Sequence, residues 1–194
     1  MTDRQGVVLV LGDSSGWNSV VERLLVRSIE VVAVATPWRE LAADAAGVQE
    51  AITAVGRPVV LVGHSYGGTV ITAAAAGYAA EGVHPSVRGL VYVSAFAPDV
   101  GECAADLMSP DGTPTEVPSE ALHAPLTGVV PAWKSLPSWF VFGDEDLTIP
   151  VARHRAMARR AGARGIREVA GATHTLHRSA PDVVSAAIAD ALKG

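Results

Sequence analysis

The chain has only one cysteine, Cys103, among its 194 residues. No internal disulfide can form, which fits a reducing compartment. Nothing beside Cys103 is built to activate a thiol, so it reads as an ordinary small side chain. Basic charge is also scarce: 15 Lys and Arg stand against 20 Asp and Glu, a net charge of -5 with no basic run. Nucleic acid and anionic membrane are therefore poor candidate partners. The aliphatic runs fall far short of the roughly 20 residues a membrane span needs. The start, Met1-Thr2-Asp3-Arg4-Gln5, has no apolar core after a basic stretch, so no signal peptide is expected. No internal repeat is visible. His64, His84, His123 and His154 form no metal-like cluster, so neither a zinc site nor another cofactor is expected. These absences describe a soluble, cytoplasmic protein whose partner is a small molecule.

What the chain does have is apolar content. Hydrophobic residues make up 49% and charged residues 18%, suited to one packed domain over residues 1–194. Val-rich runs recur at Val7–Leu11, Val31–Ala35, Val59–Val62, Leu90–Ala95, Trp139–Phe142 and Ile166–Val169. They are continuous rather than alternating, as expected of strands covered on both faces. Helical spacing appears between them. Trp17, Val20, Val21, Leu24 and Leu25 mark one apolar face; Val183, Val184, Ala187, Ile188, Ala191 and Leu192 mark another. Ser179 and Asp182 are spaced as a capping box before that last helix. Alternating strands and helices predict an α/β fold, a three-layer αβα sandwich on a mostly parallel sheet of about six strands. The proline-rich segment 99–136 breaks the rhythm and reads as a short lid inserted between the fourth and fifth strands.

One stretch demands a chemical reason. In "VVLVGHSYGGTV", residues 59–70, glycines crowd a single serine between a strand and a helix. Gly63-His64-Ser65-Tyr66-Gly67 matches G-x-S-x-G, a strand-to-helix turn so sharp that the serine is held at strained dihedrals. Gly63 and Gly67 are needed because a β-carbon would clash inside the turn. Gly68 lets the helix approach the sheet. The backbone N–H of Tyr66, at the start of that helix, points toward the site. The bland alternative is a tight turn with a capping serine.

A serine hydroxyl needs a base to take its proton and an acid to orient that base. For this architecture the chain order is serine, acid, histidine. "FVFGDEDLTIP" follows the fifth strand and "EVAGATHTLHRSAP" the sixth. Asp144 and Asp146 could both orient the base; Asp146 lies deeper in the loop and is favoured on geometry. His174 directly follows Gly171-Ala172-Thr173 and is the candidate base. His177 is expected on the surface or toward the lid. His64 is expected to point away from the attack path.

With those residues in place, the chain resembles α/β-hydrolase-fold proteins over nearly its whole length. "VVLVGHSYGGTVIT", "GLVYVSAFAPDVGE", "PSWFVFGDEDLTIP" and "GATHTLHRSAP" resemble the bacterial relatives of plant methylesterases and hydroxynitrile lyases. In that group the aspartate of a D-x-x-I-P pattern is the triad acid, which implies Asp146. The histidine after the short Gly-containing turn is the base, which implies His174. Two departures stand out. The group's His-Gly after the first core strand is Leu11-Gly12 here, in a shortened loop, so the second oxyanion donor would be the backbone of Asp13 or Ser14. An Asp13 carboxylate there would repel an oxyanion unless turned away or paired. The insert is also shorter than the usual helical cap, and no segment before Val7 supplies the usual first two strands. A reduced lid implies an open site with Phe96, Leu107, Met108 and Trp133 as candidate apolar lining, residues that fit a plain core equally well.

The first functional reading is a serine hydrolase of a small ester, thioester or lactone, working through an acyl-enzyme. An open site excludes water poorly, which favours hydrolysis. Two other readings stand beside it. The same triad could serve lyase- or cyclase-type acid–base chemistry without an acyl-enzyme, or the fold could bind a ligand without turnover. A neighbouring subunit could complete the short lid, making a homo-oligomer.

Overall fold

The computed structural model describes residues 6–11, 16–38, 40–78, 87–109 and 119–194. Its centre is a six-stranded parallel sheet in the order β2-β1-β3-β4-β5-β6. The strands are β1 (Gly6–Leu11), β2 (Glu30–Ala35), β3 (Val59–Ser65), β4 (Val87–Ala95), β5 (Ser138–Gly143) and β6 (Gly165–Val169). All six Val-rich runs are strands, each within a few residues of its expected bounds.

The continuity of those runs follows from the layers. Successive strand side chains point to opposite faces, and here each face has its own core. Leu61, Tyr92 and Phe140 pack with Val48, Ile52, Ile71 and Met157 on one side. Val62, Val91 and Val141 pack with Val20, Leu24, Val184 and Ile188 on the other. The first layer holds α2 (Leu41–Val55), α3 (Tyr66–Ala74) and α5 (Val151–Arg160); the second holds α1 (Asn18–Val26) and α7 (Pro181–Lys193). Val59, Val60, Leu61 and Val62 are essentially inaccessible. Each such side chain stabilises the fold by about 1.5–3 kcal/mol.

Two local features differ from expectation. No capping box forms at Ser179 and Asp182. Ser179 instead ends the short helix α6 (Leu176–Ser179), Ala180 takes the cap position, and Pro181 occupies the first turn of α7. Proline suits that position because its fixed φ and missing N–H cost nothing there. Asp182 pairs with Arg23 of α1, tying the two helices of that layer. Leu25, placed on the apolar face of α1, is more than half exposed.

The described part of the 99–136 insert contains only single turns: 3-10 turns at Ala105–Leu107 and Ala132–Lys134, and α4 (Glu120–His123). It is anchored rather than loose. The Trp133 indole N–H donates to the Pro98 carbonyl, and the Gly101 and Leu126 N–H groups bond to Leu126 and Glu102 carbonyls. Arg160 of α5 holds the Glu102 carboxylate.

The order of strands reverses at β1, which has β2 on one side and β3 on the other. Loops at the carboxyl ends diverge at such a point and open a crevice. Ser65 lies at the carboxyl end of β3, and the close approach of α3 to the sheet fixes it there. A β-carbon on Gly68 would lie 2.3 Å from the Phe96 carbonyl oxygen and 2.8 Å from the Ala95 Cβ. Gly68→Ala should therefore push α3 off β4 and cost about 1–3 kcal/mol. Gly47→Ala, in α2 with nothing within 4 Å of the new carbon, should stabilise by about 0.5–1 kcal/mol. Chemical denaturation of the two variants reads both signs.

Candidate active site

The elbow begins with a constraint. Gly63 has no room for a side chain: its β-carbon would stand 2.5 Å from the carbonyl carbon and oxygen of Gly67. Ser65 then turns the chain at φ 52 and ψ -123, a left-handed conformation that costs a non-glycine residue about 1–3 kcal/mol. The neighbouring strand accommodates the turn. Pairing slips between His64 and Ser65, so that Ser65 faces Ala95 and leaves Ser94 as an extra residue at φ 41. The Phe96 N–H donates to the Ser65 carbonyl and closes the irregularity.

The other two side chains arrive from the loops after β5 and β6. Gly143 brings those loops together, because any β-carbon there would strike the Ala172 carbonyl. The Glu145 N–H donates to that same carbonyl, and the Asp144 carboxylate accepts the Gly171 N–H at 2.7 Å. Asp144 thus braces the turn that carries His174, while Asp146 meets the imidazole. His174 Nδ1 lies 2.9 Å from Asp146 Oδ2 and 3.1 Å from Oδ1. On its other side His174 Nε2 lies 3.0 Å from Ser65 Oγ. Serine, imidazole and carboxylate form one unbroken hydrogen-bonded chain.

Asp146 is buried, and its carboxylate is surrounded by donors. The Thr148 and Ile149 N–H groups each donate to Oδ1 at 2.9 Å. His154 Nε2 lies 3.0 Å from Oδ2. Burial alone pushes this carboxyl up, but the hydrogen bonds from His154 and His174, the charge of His174 and the Ile149 N–H outweigh it. The carboxyl is held well below the usual carboxylate range. The ionised form is therefore favoured, which is the form an orienting acid needs.

The surrounding histidines differ from expectation. His177 is buried, not on the surface or lid; its ring stacks on Trp17 at 4.8 Å and meets the edge of His64 at 4.4 Å. The single turn of α6 sets it against Trp17, the N-cap residue of α1. His64 turns its Nε2–H to the His174 carbonyl at 3.0 Å and also forms part of the pocket wall. Burial, then the charges of His174 and His177, drive its pKa down to about 3, so it is neutral. His154 contacts Asp146 itself, a contact with no signal in the sequence. Among the described residues no group of His, Cys, Asp and Glu could hold a metal.

A pocket of about 320 Å³ opens at Ser65, lined by Trp38, His64, Phe96, Met108, Leu122, Thr148 and His174. Phe96 and Met108 are thus where the sequence suggested. Leu107 and Trp133 are not: both point into the core below the insert, with Trp133 held by its bond to Pro98. Trp38 and Leu122 take their place. Trp38 follows the carboxyl end of β2, and that position was its only signal. Tyr66 opens α3, so its N–H belongs to the helix's free first turn; its buried hydroxyl donates to Asp44. Leu11, Asp13 and Ser14 cannot be placed in the same way: Asp13 and Ser14 lie outside the described residues, as does the side chain of Leu11.

Residues 7–125 match the model of the Alpha/beta hydrolase family. A carbendazim hydrolyzing esterase from Nocardioides sp. (strain SG-4G) is 44% identical over 62 residues, which are 32% of this chain and 23% of that protein. A probable hydrolase from Phoma sp. (strain ATCC 20986 / MF5453) is 37% identical over 104 residues, 52% of this chain and 41% of that one. The chain therefore matches less than half the length of either relative. Among solved structures, a pyrethroid hydrolase from Sphingobium faniae JZ-2 superposes with a TM-score of 0.73 at 18% identity, covering 98% of both chains. Polyneuridine aldehyde esterase gives 0.73 at 18% identity, over 97% of this chain and 98% of its own. A methylesterase from Arabidopsis gives 0.69 at 15%, over 98% and 99%.

Proposed function

The chain belongs to the alpha/beta hydrolase family, and from that premise we propose that it is a serine hydrolase of small carboxylic esters, thioesters or lactones. The observation that carries this reading is the run from Ser65 Oγ through His174 to Asp146, at 3.0 and 2.9 Å, on a strained elbow that faces a pocket. Its relatives' names, an esterase and a hydrolase, support the same chemistry.

In this mechanism His174 Nε2 takes the Ser65 proton as Oγ attacks the carbonyl carbon. The tetrahedral oxyanion receives the Tyr66 N–H, and the sequence nominates Asp13 or Ser14 for a second donor. Such a donor typically contributes about 2.7–4 kcal/mol to lowering the barrier. The imidazolium, stabilised by Asp146, returns its proton to the leaving oxygen or sulfur. Water, deprotonated by His174, then attacks the acyl-enzyme and Ser65 leaves with its proton restored.

The pocket also bears on the acyl group. Its walls are Trp38, Phe96, Met108 and Leu122, and among the described residues no lining side chain apart from the imidazoles can carry charge. Taking a carboxylate into such a site without a partner costs several kcal/mol. The enzyme should therefore cleave p-nitrophenyl butyrate with a kcat/KM about a hundredfold or more above that of mono-p-nitrophenyl succinate. Steady-state rates on the two esters check this. Equal rates would contradict an apolar acyl site, and turnover of neither would count against the hydrolase reading.

A further inference from the structure

Asp146 carries more than the base requires. Its Oδ1 accepts two backbone N–H groups, and its Oδ2 faces two imidazoles, His174 and His154, at 2.9 and 3.0 Å. A carboxylate offers about four lone-pair directions, and here all four are used. We propose that His154 is a positioning residue for the catalytic base: it fixes Asp146 Oδ2 and shares the negative charge that would otherwise fall on His174 alone. This rests on the serine-hydrolase reading above.

The ring is built to do this and little else. His154 is fully enclosed on the first turn of α5 and lies flat against Phe142, with centroids 4.7 Å apart and planes 6° from parallel. A helical side chain leans back toward the helix's N-terminus, which aims His154 at the loop that bears Asp146. Nδ1 is buried with no hydrogen-bond partner among the described residues. A proton there would be stranded, so the ring is neutral with its proton on Nε2, donated to Asp146. Burial, which outweighs the attraction of Asp146, favours the same neutral form. Among the described residues, the titratable groups that face it are Asp146 from the β5–α5 loop and His174 from the β6–α6 loop; Phe142 of β5 carries no charge.

The consequences for His174 have a definite sign. Without the His154 N–H, Oδ2 keeps one imidazole donor, and its charge acts more strongly on His174 Nδ1–H. Protonated His174 is then favoured, so the acid limb of the rate profile moves to higher pH. The carboxylate also loses a restraint, and misplacing the base lowers kcat more than it raises KM.

The test measures kcat and KM for p-nitrophenyl acetate across the acid limb in the native chain, His154→Phe and His154→Gln. His154→Phe keeps the ring's bulk without a donor. It should lower kcat about tenfold or more with KM little changed, and raise the acid limb by about half a pH unit. His154→Gln, whose amide N–H can reach Asp146, should restore both toward native. A folded His154→Phe with native kcat and limb overturns the proposal, as does a His154→Gln equal to His154→Phe. Should His154→Phe fail to fold, long-range ¹H–¹⁵N spectra of the native protein decide. His154 must stay neutral and Nε2-protonated while His174 titrates, and a His154 that gains a proton there refutes the assignment. Loss of this proposal alone leaves native turnover intact, whereas a native chain without turnover overturns both readings.

Discussion

Ser65→Ala should lower kcat for ester hydrolysis by about a millionfold while the fold persists, on the scale of serine hydrolases whose nucleophile is removed. The reason lies in how the side chains are linked. Serine is a weak nucleophile on its own, and in the proposed mechanism Ser65 Oγ is activated by His174 Nε2, which stands 3.0 Å away and is bonded in turn to Asp146. Removing any member of such a unit removes nearly all that the unit supplies, so Ser65→Ala/His174→Ala should be little worse than either single variant. Residual rate would come from the oxyanion donors and binding. The alanine is also easier to hold than the serine's neighbours suggest, since Gly63 and Gly68, not the hydroxyl, make the turn possible. Thermal unfolding of Ser65→Ala should therefore match native. Single-turnover and steady-state assays on p-nitrophenyl butyrate read the loss.

Asp146→Asn should cost about 10⁴-fold in kcat, and the hydrogen-bond pattern gives the cause. Oδ1 accepts the Thr148 and Ile149 N–H groups, so the amide oxygen must take that position. The amide NH₂ then takes the place of Oδ2 and faces both imidazoles. His174 Nδ1 is forced to accept, which puts its proton on Nε2, against Ser65. In that tautomer the base cannot take the serine's proton. Asp144→Asn is the control: its amide oxygen can still accept the Gly171 N–H, and kcat should stay close to native. The pair of variants separates the two aspartates, which the sequence left as rivals one residue on either side of Glu145.

Much of this was legible from residue order. β3 reads as a strand because Val59, Val60, Leu61 and Val62 feed two cores alternately. The elbow reads as an elbow because only glycine fits at positions 63 and 68 around Ser65, and the candidate acid and base each follow a strand whose carboxyl end must lie on the same side of a parallel sheet. What stayed hidden depends on contacts between distant segments. His154 stands eight positions beyond Asp146 and reaches it only because α5 folds back over the loop. His177 looked like surface because its burial is supplied by Trp17, far away in the chain. Trp133 and Leu107 looked like pocket lining because an apolar residue in a lid can face either way. The bond from Trp133 to Pro98 turns it inward. Ser179 failed as a cap because Pro181 set the start of α7.

The central claim is that Ser65 is an activated nucleophile, and intact-mass spectrometry after incubation with a fluorophosphonate tests it most directly. The account predicts a single adduct on the native chain, absent from Ser65→Ala and His174→Ala. A folded native chain that takes up no adduct, or a Ser65→Ala that still does, would contradict it.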